Sequence, residues 1–138
     1  KYSDGVLFAH GFDQRRKNIF RVRNLEDKIK KYFKTKYVLC VTSGTAAIKI
    51  ALKACGVKRG DEVITQAFNF IATVEAIVDI GAIPIIANID STLNMCADDL
   101  RKKITNKTKA VIPVHMLGFS ANIKEIEKIC VKKKNQIN

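Results

Sequence analysis

Apolar and polar positions along the chain change their period several times, and each change marks a predicted element. Leu25, Ile29, Tyr32 and Phe33 follow a spacing of four, three and one, which predicts a helix that begins at Leu25. The apolar run at residues 37–41 is short and continuous, which is typical of a strand buried on both faces. Residues 1–24 show no clear period, and we treat them as an N-terminal arm of uncertain structure.

The alternation of helix and strand continues along the chain. Helices are predicted at 46–54, 71–80, 98–104 and 122–133, and strands at 62–65, 83–87 and 109–115. Asn122, with Glu125 three residues later, is a typical start for the last helix. This order predicts an α/β domain with a mainly parallel sheet flanked by helices. The last helix ends where another strand is expected, so we interpret residues 25–138 as part of a truncated domain.

Net charge suggests a competing interpretation. The chain has 25 Lys and Arg residues against 13 Asp and Glu, a formal net charge of +12. The excess lies at the two ends of the chain and is mostly lysine, which forms solvated helix faces more often than base-reading contacts. We therefore predict no nucleic-acid partner. A salt-sensitive nucleic-acid interface at residues 15–23 and 128–134 stays open as an alternative.

Cysteine spacing and hydropathy favour a cytoplasmic protein. Cys40, Cys55, Cys96 and Cys130 are far apart and form no C-x-x-C pair, which argues against a zinc site and a disulfide framework. We expect reduced, mostly buried thiols and no metal. The chain has no run of 18 apolar residues and no signal-peptide pattern at its N-terminus, so no membrane partner is predicted.

The turn Thr42-Ser43-Gly44-Thr45 is the first candidate binding site, because parallel sheets bind ligands beyond the carboxyl ends of their strands. Gly44 would let the backbone turn sharply and approach a ligand closely, and the N–H groups and hydroxyls at the start of the next helix favour a phosphate. A plain Ser/Thr helix cap is the alternative. The chain lacks both common nucleotide-binding glycine motifs, which argues against a nucleotide hydrolase and a dinucleotide-linked dehydrogenase.

Two later turns also follow predicted strands. In Gln66-Ala67-Phe68-Asn69-Phe70, one ring could lie in the core and the other over a planar ligand, or both rings could simply pack. His115 could contact a ligand, although a structural role is the favoured alternative.

Several segments then match one family in register. They are Ser43-Gly44-Thr45-Ala46-Ala47, Gly60-Asp61-Glu62-Val63-Ile64, Phe68-Asn69-Phe70-Ile71-Ala72-Thr73, Gly81-Ala82-Ile83-Pro84, Asn88-Ile89-Asp90 and Thr108-Lys109-Ala110-Val111-Ile112-Pro113-Val114-His115. Together they resemble the sugar-nucleotide aminotransferases of the DegT/DnrJ/StrS family. The resemblance reaches Gly118 and does not cover residues 1–24 well.

The resemblance implies part of the large domain of a fold-type I enzyme that depends on pyridoxal 5'-phosphate (PLP) and is normally a homodimer. Such enzymes transfer an amino group, usually from glutamate, to a keto sugar linked to a nucleotide. Carried over by position, Gly44, Thr45 and Ser43 are implied to contact the cofactor phosphate. Phe70 is implied to stack on the pyridine ring.

The chain also departs from the family pattern. Gln66 stands where the family usually has Pro, Asn69 where it has Thr or a similar residue, and Met116-Leu117 where Leu-Tyr is more usual. These changes could reshape the sugar site.

The resemblance implies that the catalytic residues lie outside these 138 residues. The Asp that keeps the pyridine nitrogen protonated and the Schiff-base Lys are expected beyond Asn138. We therefore assign no catalytic residue and expect the 138 residues alone to be inactive. A sugar dehydratase of the same family, with His in place of that Lys, and a truncated non-catalytic binding or assembly module remain alternatives.

Overall fold

The computed structural model describes residues 20–137 and divides into two compact units, with the boundary between Thr42 and Ser43. In the first unit, helix α1 spans Arg21–Phe33, so the helix predicted from Leu25 is confirmed with an earlier start. It ends at Lys34, whose φ of 52° lies in the left-handed region. Most of the proposed N-terminal arm lies outside the described residues.

The strand predicted at residues 37–41 is wrong. These residues form no strand, and Tyr37 and Leu39 are 79% and 67% exposed. The Cys40 N–H donates instead to Oε1 of Glu26, at 2.8 Å. A strand needs a neighbour that exchanges backbone hydrogen bonds with it, and no described strand pairs with this segment. An apolar run alone therefore did not define a strand.

The second unit alternates helices and strands as predicted. Its helices are α2 (Gly44–Ala54), α3 (Ala72–Asp79), α4 (Ala97–Lys103) and α5 (Ile123–Ile137), and its strands are β1 (Glu62–Gln66), β2 (Ile83–Ala87) and β3 (Thr108–Ile112). Among the strand ends, β3 differs most from its prediction, because it stops at Ile112 instead of residue 115. The predicted cap of α5 is confirmed, because Oδ1 of Asn122 accepts the Glu125 N–H at 3.3 Å.

The three strands form one parallel sheet in the order β2-β1-β3, which confirms the α/β prediction. The connection from β1 to β2 runs across the sheet in one direction, and the connection from β2 to β3 runs back past β1. Because crossovers between parallel strands are right-handed, this reversal places α3 and α4 on opposite faces of the sheet.

Each face of β1 supports its own hydrophobic core. Val63 and Ile64 are both fully buried, and as neighbours in a strand they point to opposite faces. The first core contains Leu52, Val57, Val63, Ile77 and Ala82, and the second contains Ile64, Ala87, Met95, Leu100, Ala121, Ile126 and Ile129. The two layers hold the strands between α2 and α3 on one face and α4 and α5 on the other.

The cysteines differ from the expectation of mostly buried thiols. All four are free, but Cys55 is exposed and the other three are only half-buried. Cys55 is exposed because it caps the carboxyl end of α2, at the surface. Partial burial raises the pKa of the Cys130 thiol. None of the helices within residues 20–137 combines the length with the apolar character that a membrane-spanning helix requires.

Candidate functional site

The first candidate site residues lie at the start of α2. Ser43 is the N-cap, because its Oγ accepts the Ala46 N–H at 3.1 Å and its carbonyl accepts the Ala47 N–H at 3.0 Å. Ser43 thus has the capping role considered as the alternative. Within the described residues, the N–H groups of Gly44 and Thr45 have no acceptor. Both groups, together with the positive end of the helix dipole, are available to an anion.

The sharp turn predicted at Gly44 is not found. Gly44 is the first residue of α2, and its φ is not in the left-handed region, so a sharp turn does not explain the glycine. A Cβ built at this position would meet no atom within 4 Å. The glycine therefore leaves open space beside the N–H groups of Gly44 and Thr45. A phosphate group fits this arrangement, because it would need both the space and the donors.

An ion pair between Lys49 of α2 and Asp79 of α3 shows that these two positions lie side by side. Each helix leads into the amino end of a parallel strand, so the two helices run in the same direction. Gly44 lies about 7.5 Å of helix before Lys49, and the same distance back from Asp79 reaches the first turn of α3. Gly44 is therefore level with the first turn of α3. The start of α2 and the turn before α3 consequently lie at the same edge of the sheet, where the strands end.

The turn between β1 and α3 exposes both of its aromatic rings. Phe70 is 77% exposed and Phe68 is 45% exposed, so neither the placement of one ring in the core nor the packing of both rings is found. The Phe70 carbonyl accepts the Thr73 N–H at 3.1 Å, and Asn69 Nδ2 donates to the carbonyl of Gln66. The backbone of the turn is thus held while the Phe70 ring is open to a planar group.

His115 lies on the turn that leaves β3 and has a structural contact. Its Nδ1 accepts the Ala121 N–H at 2.9 Å, while the residue as a whole is exposed. A neutral imidazole that accepts at Nδ1 carries its proton on Nε2. The favoured structural role is therefore present, and the Nε2–H remains without an acceptor among the residues that the structure describes.

The turns after β1 and β3 diverge at the edge of the sheet. From β1 the chain goes to α3 on one face, and from the neighbouring strand β3 it goes to α5 on the other face. Ligands of open α/β sheets bind in the crevice formed where adjacent strands lead to opposite faces. The Phe70 turn (residues 67–71) and the His115 turn (residues 113–118) line the two sides of this crevice.

Two buried amides at this crevice were not predicted as site residues. Gln66 is fully buried and Asn94 is 2% exposed, although side chains of both types are usually exposed. A glutamine directly after a predicted strand was the available signal for Gln66. Asn94 had none, because its burial depends on how the turn after β2 folds over the end of the sheet.

Comparison with known proteins places this geometry in a family. Residues 15–137 match the DegT/DnrJ/EryC1/StrS aminotransferase family, which confirms the resemblance. GDP-perosamine synthase of Vibrio cholerae is 34% identical over 131 residues, which cover 94% of this chain and 35% of that protein.

Two solved structures show the same fold. NtdA from Bacillus subtilis, crystallised with the bound cofactor PMP, has a TM-score of 0.79 at 35% identity and covers 82% of this chain and 26% of its own. A GDP-4-keto-6-deoxymannose-3-dehydratase has a TM-score of 0.72 at 32% identity and covers 78% of this chain and 30% of its own. The chain therefore spans about a third of the length of the curated relatives it matches.

Proposed function

Because the chain belongs to the DegT/DnrJ/EryC1/StrS aminotransferase family, we propose that it forms the cofactor-phosphate side of a PLP-dependent sugar aminotransferase. The reaction transfers an amino group, with glutamate as the donor, to a keto sugar linked to a nucleotide. The relative named a GDP-perosamine synthase supports a nucleotide-linked sugar as the substrate class. By the same resemblance, the longer protein acts as a cytoplasmic homodimer.

The observation that carries this proposal is the start of α2. The N–H groups of Gly44 and Thr45 have no acceptor within the described residues, and the space beside Gly44 is open. A helix start with free N–H groups is suited to a phosphate dianion, since the donors and the helix dipole act on the same charge. The PMP bound to the similar structure of NtdA supports the choice of cofactor.

The remaining residues would orient the cofactor. The Phe70 ring, exposed at the same edge of the sheet, would cover one face of the pyridine ring and exclude water from it. The hydroxyl of Thr45 would add a donor to the phosphate, while Ser43 would preserve the helix start through its cap. When bound, PLP supplies an electron sink for the amino-group transfer.

Thr45→Ala and Phe70→Ala, made in the full-length protein that contains this chain, test the site. Loss of a hydrogen bond to a charged group costs about 1.5–3 kcal/mol, so Thr45→Ala is expected to weaken PLP binding by about 10- to 150-fold. Phe70→Ala is expected to weaken it as well, because the stacking surface is removed. Binding is measured by the absorbance of the cofactor during equilibrium dialysis.

Phe33→Ala is the matched control for Phe70→Ala, since Phe33 is also an exposed phenylalanine but lies on α1. It is expected to retain the wild-type affinity for PLP. Unchanged affinity in both Thr45→Ala and Phe70→Ala would exclude this site while leaving the fold assignment intact.

A sugar dehydratase of the same family is the second candidate. It is favoured by the similarity to GDP-4-keto-6-deoxymannose-3-dehydratase, at 32% identity. The products separate the two reactions: an aminotransferase yields an amino sugar, and a dehydratase yields a deoxygenated sugar without the added nitrogen. Mass spectrometry of the product after incubation with ¹⁵N-glutamate distinguishes the two reactions, because only the amino sugar retains the label.

A further inference from the structure

The side chain of Gln66 connects the turns that follow all three strands. Its Nε2 donates to the carbonyl oxygens of Phe68 and Leu93, both at 3.0 Å, and its Oε1 accepts the Val114 N–H at 2.9 Å. Phe68, Leu93 and Val114 follow β1, β2 and β3, respectively. One fully buried amide therefore holds three turns at the carboxyl edge of the sheet.

Asn94 provides a second amide beside the first. Its Oδ1 accepts the Met116 N–H at 3.2 Å, and its Nδ2 donates to Oγ1 of Thr92 at 2.9 Å. Gln66 and Asn94 together thus hold the peptide N–H groups of Val114 and Met116, on either side of His115. The two amides fix the backbone of the His115 turn against the turns after β1 and β2.

Burial of the Gln66 amide costs free energy, and packing alone does not explain why a polar side chain stands at this position. A primary amide buried at a strand end must have its donors and acceptor satisfied, whereas an apolar side chain would need none. One of its partners, Leu93, has a φ of 63°, a backbone conformation that side-chain-bearing residues rarely adopt.

We propose that Gln66 is a positioning residue that fixes the Phe70 turn and the His115 turn relative to each other across the crevice. The bond to Phe68 acts two residues before Phe70, and the bond to Val114 acts one residue before His115. Gln66 thereby holds the backbone from which the Phe70 ring projects. The consequence for the cofactor rests on the proposed function, whereas the coupling of the turns does not.

Gln66→Met tests this inference in the full-length protein. Methionine has a similar length and volume but replaces none of the three hydrogen bonds. The turns after β1 and β3 should therefore move independently of each other. We expect faster hydrogen exchange of the amides at 67–71 and 114–118, with the amides of β1, β2 and β3 unchanged. We also expect roughly tenfold weaker PLP binding and a smaller circular dichroism band from the bound cofactor.

Val57→Ala is the control for a loss of stability alone. Val57 is 2% exposed, packs in the first core and lies between α2 and β1, at the opposite edge of the sheet from the three turns. It is expected to lower the midpoint of thermal unfolding while preserving the exchange of the turns and the dichroism of the cofactor. If Gln66→Met behaves like Val57→Ala in both readouts, Gln66 has only a structural role and the proposal is overturned.

Gln66→Glu adds a test that depends on pH. The ionised carboxylate still accepts the Val114 N–H but faces the carbonyl oxygens of Phe68 and Leu93, whereas the protonated acid can donate to one of them. Protection of the turns, relative to wild type at each pH, should therefore recover in part as the pH is lowered. A pH-independent loss would count against the amide as the coupling group.

The two proposals fail in different ways. If the wild-type protein binds no PLP, the proposed function fails, and hydrogen exchange of the turns in Gln66→Met still decides whether Gln66 couples them. If the wild-type protein binds PLP and Gln66→Met leaves the exchange of the turns unchanged, the positioning role fails while the function stands.

Discussion

Asp90 shows how local hydrogen bonds favour the charged form of a side chain. Its Oδ1 accepts the hydroxyl of Thr92 at 2.5 Å and the Thr92 N–H at 2.8 Å. These bonds, the hydroxyl first, stabilise the carboxylate and lower the pKa of Asp90 below 3.8. Since the folded pKa lies below the unfolded pKa, Asp90 contributes stability above the unfolded pKa and loses it as the pH falls through the folded pKa.

Thr92→Ala should therefore raise the pKa of Asp90 toward its ordinary value, because the largest stabilising contact is removed. A titration of the Asp90 carboxyl carbon by NMR measures the change. Thr92→Ser retains the hydroxyl and should keep the pKa low. A pKa that is the same in Thr92→Ala and in the wild type would contradict this account of the turn.

At the scale of single elements, the end of α1 carries backbone strain. Lys34 has φ 52° and ψ 37°, and its N–H donates to the Lys30 carbonyl, as in a left-handed helix cap. Glycine adopts this conformation without the steric cost of a Cβ, so Lys34→Gly should stabilise α1 by about 0.5–1 kcal/mol. Hydrogen exchange of the α1 amides measures the gain.

Gly56→Ala is the reciprocal control for that prediction. Gly56 has a φ of 78°, and a Cβ built there would come no closer than 4.0 Å to Cε of Lys109, so the substitution adds backbone strain without a clash. It should destabilise the end of α2 by about 1–2 kcal/mol. Faster exchange in α1 after Lys34→Gly would contradict the proposed cap.

Elements with a strong internal period were predictable from the sequence, and contacts between elements were not. The helices and β1 to β3 followed from spacing, glycines and caps, all of which are local. The failure at residues 37–41 arose because a strand depends on a pairing partner, which no local pattern reveals. Likewise, Gln66 was visible as an unusual residue, but its three bonds join turns that lie far apart in sequence.

The candidate site was predictable only in part for the same reason. The start of α2 was found through its Ser-Gly-Thr sequence, because capping and helix-end chemistry are local. The sharp turn predicted at Gly44 was wrong, since Gly44 is already a helical residue, whereas the close approach of a ligand there stays a prediction. The roles of Gly44, Thr45, Ser43 and Phe70 toward the cofactor stay predictions.

At the scale of the second unit, the sheet separates two hydrophobic cores, and this separation predicts how mutations combine. Ile77 on α3 is fully buried in one core, and Ile129 on α5 is 4% exposed in the other. Each Ile→Val change should cost about 0.5–1.5 kcal/mol of the free energy of unfolding. Because the sheet lies between them and they share no core partner, the two costs should add to within about 0.5 kcal/mol.

Urea unfolding of the wild type, both single variants and the double variant measures this coupling. The comparison pair is Ile64→Val with Ile129→Val, since these two residues belong to the same core and a cavity at one can be relieved by movement at the other. Additivity across the sheet together with coupling within one face would show that the three-stranded sheet isolates its two faces mechanically. If the pair across the sheet is coupled as strongly as the pair within one face, the sheet transmits packing changes from the α2–α3 face to the α4–α5 face, through the adjacent residues Val63 and Ile64 of β1.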